Sequence, residues 1–295
     1  MRTAEKGSPI AGAMTVDLED YFQVQAFVDQ IPRASWEGIP RRIEANTERI
    51  LAHFAEAGVH ATFFTLGWIA ERHPPLIRRI VDAGHELASH GYDHVPAFRF
   101  DEAAFRADVG RTRRLLEDLG GVEVRGYRAP TFSIGASNLW AFRALEAEGY
   151  SYSSSIYPVR HDLYGMPGAP RFPFRPAGGA LWELPMTTLV FAGRNLPWSG
   201  GGYFRLLPYS LYRRGLARLL RRDCRPGIFY FHPWEIDPAQ PVIAGARLRS
   251  RLRHRLNLAA MEGRLGRLIR DFAWDRMDRI FAAELASFPT MPVQS

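Results

Sequence analysis

A chain of 295 residues with 46% hydrophobic content carries enough apolar side chain for one large α/β domain or two small ones. Its 38 Lys and Arg against 31 Asp and Glu leave a formal charge of +7, which invites nucleic acid, an anionic polymer or a membrane surface, yet no nucleic-acid motif accompanies that charge. The single cysteine, Cys224, excludes an internal disulfide, and no window approaches the roughly 20 apolar residues of a membrane span.

The opening MRTAEKGSPIAGAMTVD has charges but no apolar h-region, so neither signal peptide nor transmembrane segment is expected, and the predicted location is cytoplasmic. AGAMTVD reads as a first strand. Four times thereafter a helix-like segment ends in Gly and a strand-like one begins: AHFAEAGVHATFFTLG, RRIVDAGHELASHG, RLLEDLGGVEVRGYRAP and FRALEAEGYSYSSS. Gly58, Gly84, Gly120 and Gly149 stand where helices close in the left-handed conformation that glycine adopts cheaply.

LWELPMTTLV and GIFYFHP bring the total to about seven strands. Such alternation predicts an α/β fold with a parallel sheet, closed into a distorted (β/α)7 barrel rather than left open. No Gly-x-Gly-x-x-Gly follows the first strand, which argues against dinucleotide binding. WSGGGYF lacks the Lys-Ser/Thr of a phosphate cradle and reads as a mobile loop.

DPAQPVIAG (Asp237 to Gly245) divides the chain into a barrel, residues 1–240, and a basic helical C-terminal extension, residues 241–295, packed on it. In the extension Leu248, Leu252 and Leu256 recur every fourth residue with Arg247, Arg251 and Arg255 beside them, which predicts leucines on the barrel and arginines outward. A solvated face is the plain reading of those arginines. The sharper one is peripheral contact, through residues 246–272, with the inner membrane or an anionic polymer.

Reacting groups of a β/α barrel gather at the C-terminal ends of its strands. ELASHGYDHVP sets His90 and His94 four residues apart, a spacing that nine histidines produce by chance too readily to stand alone. The first strand, however, ends at VDLED with Asp17, Glu19 and Asp20, the fourth at YRAP with Arg128, and the seventh at FYFHPWE with His232. All fall on one rim. Glu19 shares the face of Asp17 if the strand continues, whereas Asp20 could turn inward once it ends. Asp93 is a candidate to orient a ligand ring or an ordinary turn aspartate.

These motifs, in this order, resemble the polysaccharide deacetylases of carbohydrate esterase family 4: TVDLEDYF for the acidic motif, HGYDH for the histidine pair, RAP for the arginine motif and FYFH for the late histidine. The phrases VDLEDYFQV, SHGYDH, YRAPTFSI, SSSIYPVRHDLYG and FHPWEIDP are similar to the branch associated with exosortase/PEP-CTERM exopolysaccharide loci. Three departures stand out: Asp-Leu-Glu-Asp for adjacent aspartates, Gly91 for Ser/Thr, and a compressed arginine motif. The resemblance implies a metal-dependent hydrolase that removes acetyl groups from N-acetylated sugars of a bacterial exopolysaccharide or its precursor. It implies Asp17 as general base, Arg128 as its partner, His232 as general acid, and one carboxylate with His90 and His94 as ligands of one divalent ion, Zn²⁺ first, on which such a set leaves coordination positions open; Asp20 is preferred as that carboxylate and Glu19 is the alternative. Pro130, Asp162, Phe231 and Trp234 are the expected substrate-binding residues, with Phe231 in an apolar wall for the acetyl methyl. The expected partner is an acetylated polysaccharide or oligosaccharide, and nucleic acid is not. Two rivals remain: an allantoinase-like cyclic-amide hydrolase on the same fold, and an inactive glycan-binding barrel.

Overall fold

The computed structural model describes residues 12–161 and 164–286. Strand β1 (Gly12–Leu18), buried at every residue, is the hub of the sheet. After helix α1 (Ile43–Ala57), β2 (Thr62–Thr65) pairs parallel with β1; after α2 (Gly67–Arg72) and α3 (Pro74–Asp82), β3 (Glu86–Ser89) pairs with β2. Helix α4 (Glu102–Gly120) leads to β4 (Gly126–Tyr127), α5 (Trp140–Ala147) to β5 (Tyr152–Ser153), and a longer excursion to β6 (Trp182–Glu183), each strand parallel to the one before. Strands β7 (Thr188–Phe191) and β8 (Arg194–Pro197) form a separate hairpin. Helices α6 (Gly201–Leu206) and α7 (Tyr209–Asp223) then precede β9 (Ile228–Phe231), which returns to β1 in parallel. Finally α8 (Leu248–Arg255) and α9 (Leu258–Asp271) lead to β10 (Trp274–Asp275), which pairs parallel with the start of β1. The result is the expected parallel-sheet half-barrel ringed by helices.

The pleat sorts the side chains by parity. Val16, Leu18, Phe63, Leu87, Phe229 and Phe231 join the cluster under the helices, which includes Ile50 and Phe54 of α1. Phe64, Ala88, Tyr152 and Tyr230 belong to a second cluster on the concave face. Thr15 and Asp17 share that second parity, so β1 delivers its polar groups to the inside of the half-barrel.

Gly58, Gly84 and Gly149 do close their helices at positive φ, but the third such residue is Gly121 (φ 66°), because α4 runs through Gly120. The glycine run in WSGGGYF is not a loose loop. Ser199 O accepts the Tyr230 amide at 2.7 Å, and a Cβ on Gly200 would lie 2.2 Å from Tyr230 O, so the run is the tight seam that launches α6 against β9. Helix α9 buries Leu258, Met261, Leu265, Leu268 and Ile269, whereas α8 buries only His254 and leaves Leu248 and Leu252 in solvent; Arg247 and Arg251 are outward as expected, but the leucines are outward with them. No helix among the described residues is long and apolar enough to cross a membrane.

Candidate active site and metal centre

The strand end after Leu18 decides which carboxylate meets the histidines. Asp20 turns away from them: its Oδ1 accepts the Tyr21 amide at 2.9 Å, and its Oδ2 accepts the amides of Arg42 at 2.7 Å and Ile43 at 3.1 Å. It therefore ties β1 to the first turn of α1, where free backbone N–H groups welcome a carboxylate. Burial nevertheless pushes its carboxyl up to about 6, against the pull of those amides. Glu19 keeps the parity of Asp17, and it is Glu19, not the preferred Asp20, that groups with His90 and His94, their ligand atoms all within 4.8 Å of one another.

Each donor of that trio is prepared by its surroundings. His90 Nδ1 donates to Arg128 O at 2.8 Å, which leaves Nε2 with its lone pair; burial lowers this imidazole to about 4 and keeps it neutral. His94 adopts φ 56° after Gly91 at φ 74°, a double reversal that brings its Nε2 within 2.8 Å of Glu19 Oε2. A Cβ on Gly91 would also crowd Asp108 Oδ2 at 3.3 Å, a lesser constraint than the positive φ. Burial by itself would raise the Glu19 carboxyl, but the imidazoles of His94, His232 and His90 outweigh it and hold the group below the usual carboxylate range. Glu19 Oε1 accepts Trp234 Nε1–H at 3.1 Å, while Oε2 is buried with no aligned hydrogen-bond donor among the described residues. An ionised oxygen left without an aligned donor beside two imidazoles is the donor set of a divalent cation, and the trio fits one. Asp93 does not orient either ring: it pairs with Arg33 Nε at 2.6 Å.

Asp17 and Arg128 form the floor. Arg128, fully buried, sends Nη1 to Asp17 Oδ1 at 2.6 Å and to Thr15 Oγ1 at 2.8 Å. Its Nε donates to Ser154 O and its Nη2 to Ser154 Oγ, both at 3.2 Å, and its guanidinium lies 4.0 Å from the Phe64 ring centroid. A buried guanidinium is tolerable only with its donors so occupied. The second Asp17 oxygen, Oδ2, faces His232 Nε2 at 4.0 Å, across the space beside Glu19.

His232 is backed by two residues that sequence reasoning missed. Its Nδ1 lies 2.7 Å from Glu235 Oε1, and Glu235 Oε2 accepts Arg205 Nε at 2.6 Å from α6. Burial alone would lower His232; Glu19, Glu235 and Asp17 around it prevail and raise it to about 9. The spacing His-x-x-Glu after a strand was the available signal, because the third residue of a helical turn reaches back to its cap. Arg205 gave no local signal.

The substrate-binding expectations divide. Pro130 is buried and would lie 3.8 Å from a Cβ on Gly91, next to the histidine turn. Asp162 lies outside the described residues. Phe231 points to the helix layer, where its ring meets Phe54 and Phe229, so period two removes it from the site; Tyr230 takes the site-facing parity instead, edge-on to His232 at 5.6 Å and to Phe132 at 5.1 Å. Trp234 is buried and stacks on His232 at 5.0 Å while donating to Glu19, so it braces both of those side chains.

Residues 28–150 match the family model described as Polysaccharide deacetylase, and residues 154–282 match one described as a domain of unknown function (DUF3473). A peptidoglycan-N-acetylglucosamine deacetylase of Bacillus cereus is 33% identical over 96 residues, 32% of this chain and 35% of the relative. A chitooligosaccharide deacetylase of Rhizobium leguminosarum is 36% identical over 70 residues, 24% of this chain and 33% of the relative. The chain thus spans about a third of the length of these curated relatives. A Mycobacterium smegmatis structure, provisionally assigned as a polysaccharide deacetylase, superposes with a TM-score of 0.64 over 99% of this chain and 96% of that one, at 22% identity. Puue allantoinase superposes at 0.60 over 97% and 94%, at 18% identity. At such identities the superpositions establish the fold alone.

Proposed function

From the polysaccharide deacetylase family, which the family model and the curated relatives support, we propose that this chain hydrolyses the acetamide of N-acetylated sugars in a bacterial exopolysaccharide or its precursor. The exosortase/PEP-CTERM-associated branch suggested by VDLEDYFQV and FHPWEIDP supplies the exopolysaccharide part of that reading. The observation that carries it is the convergence of Glu19, His90 and His94 beside a separate Asp17 and His232 on one rim.

Glu19, His90 and His94 would hold the divalent ion, Zn²⁺ first, which when bound acidifies water and polarises a carbonyl oxygen. The chain's own residues do the rest. Asp17, anchored through Oδ1 by Arg128, keeps Oδ2 free to take a proton from the water whose oxygen bonds to the acetyl carbon. His232, protonated and held through Nδ1 by Glu235, gives a proton from Nε2 to the sugar nitrogen as the C–N bond breaks, so acetate and a free amine leave. Tyr230 and Phe132 offer the methyl an apolar flank. This acid/base pair is superfluous to mere glycan binding, which is why the active reading is preferred to an inert barrel.

The test is acetate release from N-acetylated oligosaccharides by metal-loaded protein, with hydantoin-type cyclic amides in parallel. Acetate release that a chelator abolishes and Zn²⁺ restores is the expected result. Ring opening of hydantoin without acetate release would replace the proposal with the cyclic-amide reading.

A further inference from the structure

Helix α8 buries a single residue, His254 in its last turn. The His254 ring stacks on Trp234 at 4.2 Å, its Nε2 lies 2.6 Å from Gln240 Oε1, and its carbonyl accepts Arg205 Nη1 at 2.9 Å. Successive helical residues turn by about 100°, so with His254 inward Leu252 lies about 200° away and Leu248 about 240°, both on the far side. They are 63% and 68% exposed, and with Leu256 they line an open groove bordered by Arg249 and Arg253. Val242, just upstream, is 50% exposed as well.

The charge along this segment is of one sign. Arg247, Arg249 and Arg251 are exposed, and no acidic residue occurs between Asp237 and Glu262. Those two flanking carboxylates are already engaged, Asp237 by Arg42 and Glu262 by Arg49 and His53. Two leucines one turn apart among arginines match the boundary between phosphate headgroups and acyl chains, where the leucines enter and the guanidinium groups stay with the phosphates.

We propose that α8 docks this protein on an anionic lipid bilayer. A second copy of the chain is a poor occupant, since each copy carries +7 and would set arginine against arginine. The docking does not depend on the reaction proposed above; His254 stacks on Trp234, which stacks on His232, so α8 stands beside the rim that carries His232, with its leucines on the opposite face.

The experiment is co-sedimentation of the full chain with vesicles of phosphatidylglycerol and phosphatidylcholine, and with phosphatidylcholine alone. Binding to the anionic vesicles only is expected, weakening as salt rises. Leu248→Ser with Leu252→Ser should weaken it about tenfold, and Arg249→Glu with Arg251→Glu by more than tenfold, given about fivefold per arginine near such a surface. Unchanged thermal melting and unchanged turnover of a soluble acetylated oligosaccharide would show that the variants are folded. Absence of binding, equal binding to neutral vesicles, or binding indifferent to the leucine changes would overturn the proposal. So would a dimer in solution that the serine variant dissolves, which would assign the stripe to a second copy.

Discussion

Arg128 Nη1 lies 2.6 Å from Asp17 Oδ1, with both side chains buried and the two residues 111 positions apart in the chain. The pair aims the other Asp17 oxygen at the site, and it also binds β1 to the segment after β4. Arg128→Met should therefore act twice. It leaves a buried carboxylate unpaired, which costs about 3–5 kcal/mol, and it frees Asp17 to rotate. Urea unfolding together with turnover checks this; a variant of full stability and full activity would remove Arg128 from both roles.

Asp17→Asn separates the base from the metal site. The amide retains the size of Asp17 but cannot accept a proton, so turnover should fall by roughly 10² to 10⁴ while the bound metal stays stoichiometric. Unchanged turnover would take Asp17 out of the mechanism.

Glu19 and Asp20 give opposite expectations. Glu19→Gln should empty the metal site, because an amide is a poor substitute for the ionised oxygen beside His94. Asp20→Asn should retain the metal and instead loosen the joint between β1 and α1 by about 1–3 kcal/mol, since an amide keeps one acceptor oxygen and gives up either the Arg42 and Ile43 amides or the Tyr21 amide. Elemental analysis and denaturation of the two variants decide it, and metal lost from Asp20→Asn but kept by Glu19→Gln would restore the other assignment.

That contrast also shows how far the sequence could be read. Asp17, His90, His94, Arg128 and His232 were legible because a β/α alternation states where strands end, and reacting groups gather there. Glu19 against Asp20 was not, since the answer lies in a turn whose partners, Arg42 and Ile43, sit more than 20 residues downstream. Phe231 could have been excluded by parity with His232 alone. Arg205 could not have been found, because it reaches Glu235 only after α6 has folded against the C-terminal segment whose carbonyls cap it, and α8 faces outward because His254, not its leucines, is the anchor.

The support behind His232 predicts a pH effect. The imidazole is active as an acid only while protonated, and Glu235, 2.7 Å away, helps hold it in that form. Glu235→Gln should shift the alkaline limb of kcat to lower pH and leave the acidic limb in place. An identical profile with a uniformly reduced rate would instead indicate a purely structural residue.

Glu86 gives a stability test remote from the metal site. On β3 its Oε2 accepts Thr62 Oγ1 at 2.5 Å and the Asp278 amide at 3.2 Å, and its Oε1 accepts Tyr152 Oη at 2.8 Å. Burial, aided by the charge of Asp278, nevertheless pushes its carboxyl up to about 7, from an ordinary value of 4.5. The folded protein therefore holds a proton on Glu86 that the unfolded chain releases between those two values. Its contribution to stability is complete below about 4.5, declines as pH rises through 7, and is level beyond. Glu86→Gln carries no titrating proton and mimics the neutral form, so its stability relative to the parent should improve on going from pH 5 to pH 8. Asp20, Asp108 and Glu183 are raised too, but they are present in both proteins and cancel from the difference. Paired denaturation curves at the two pH values make the measurement, and a difference that does not change with pH would show that Glu86 is ionised in the folded barrel throughout.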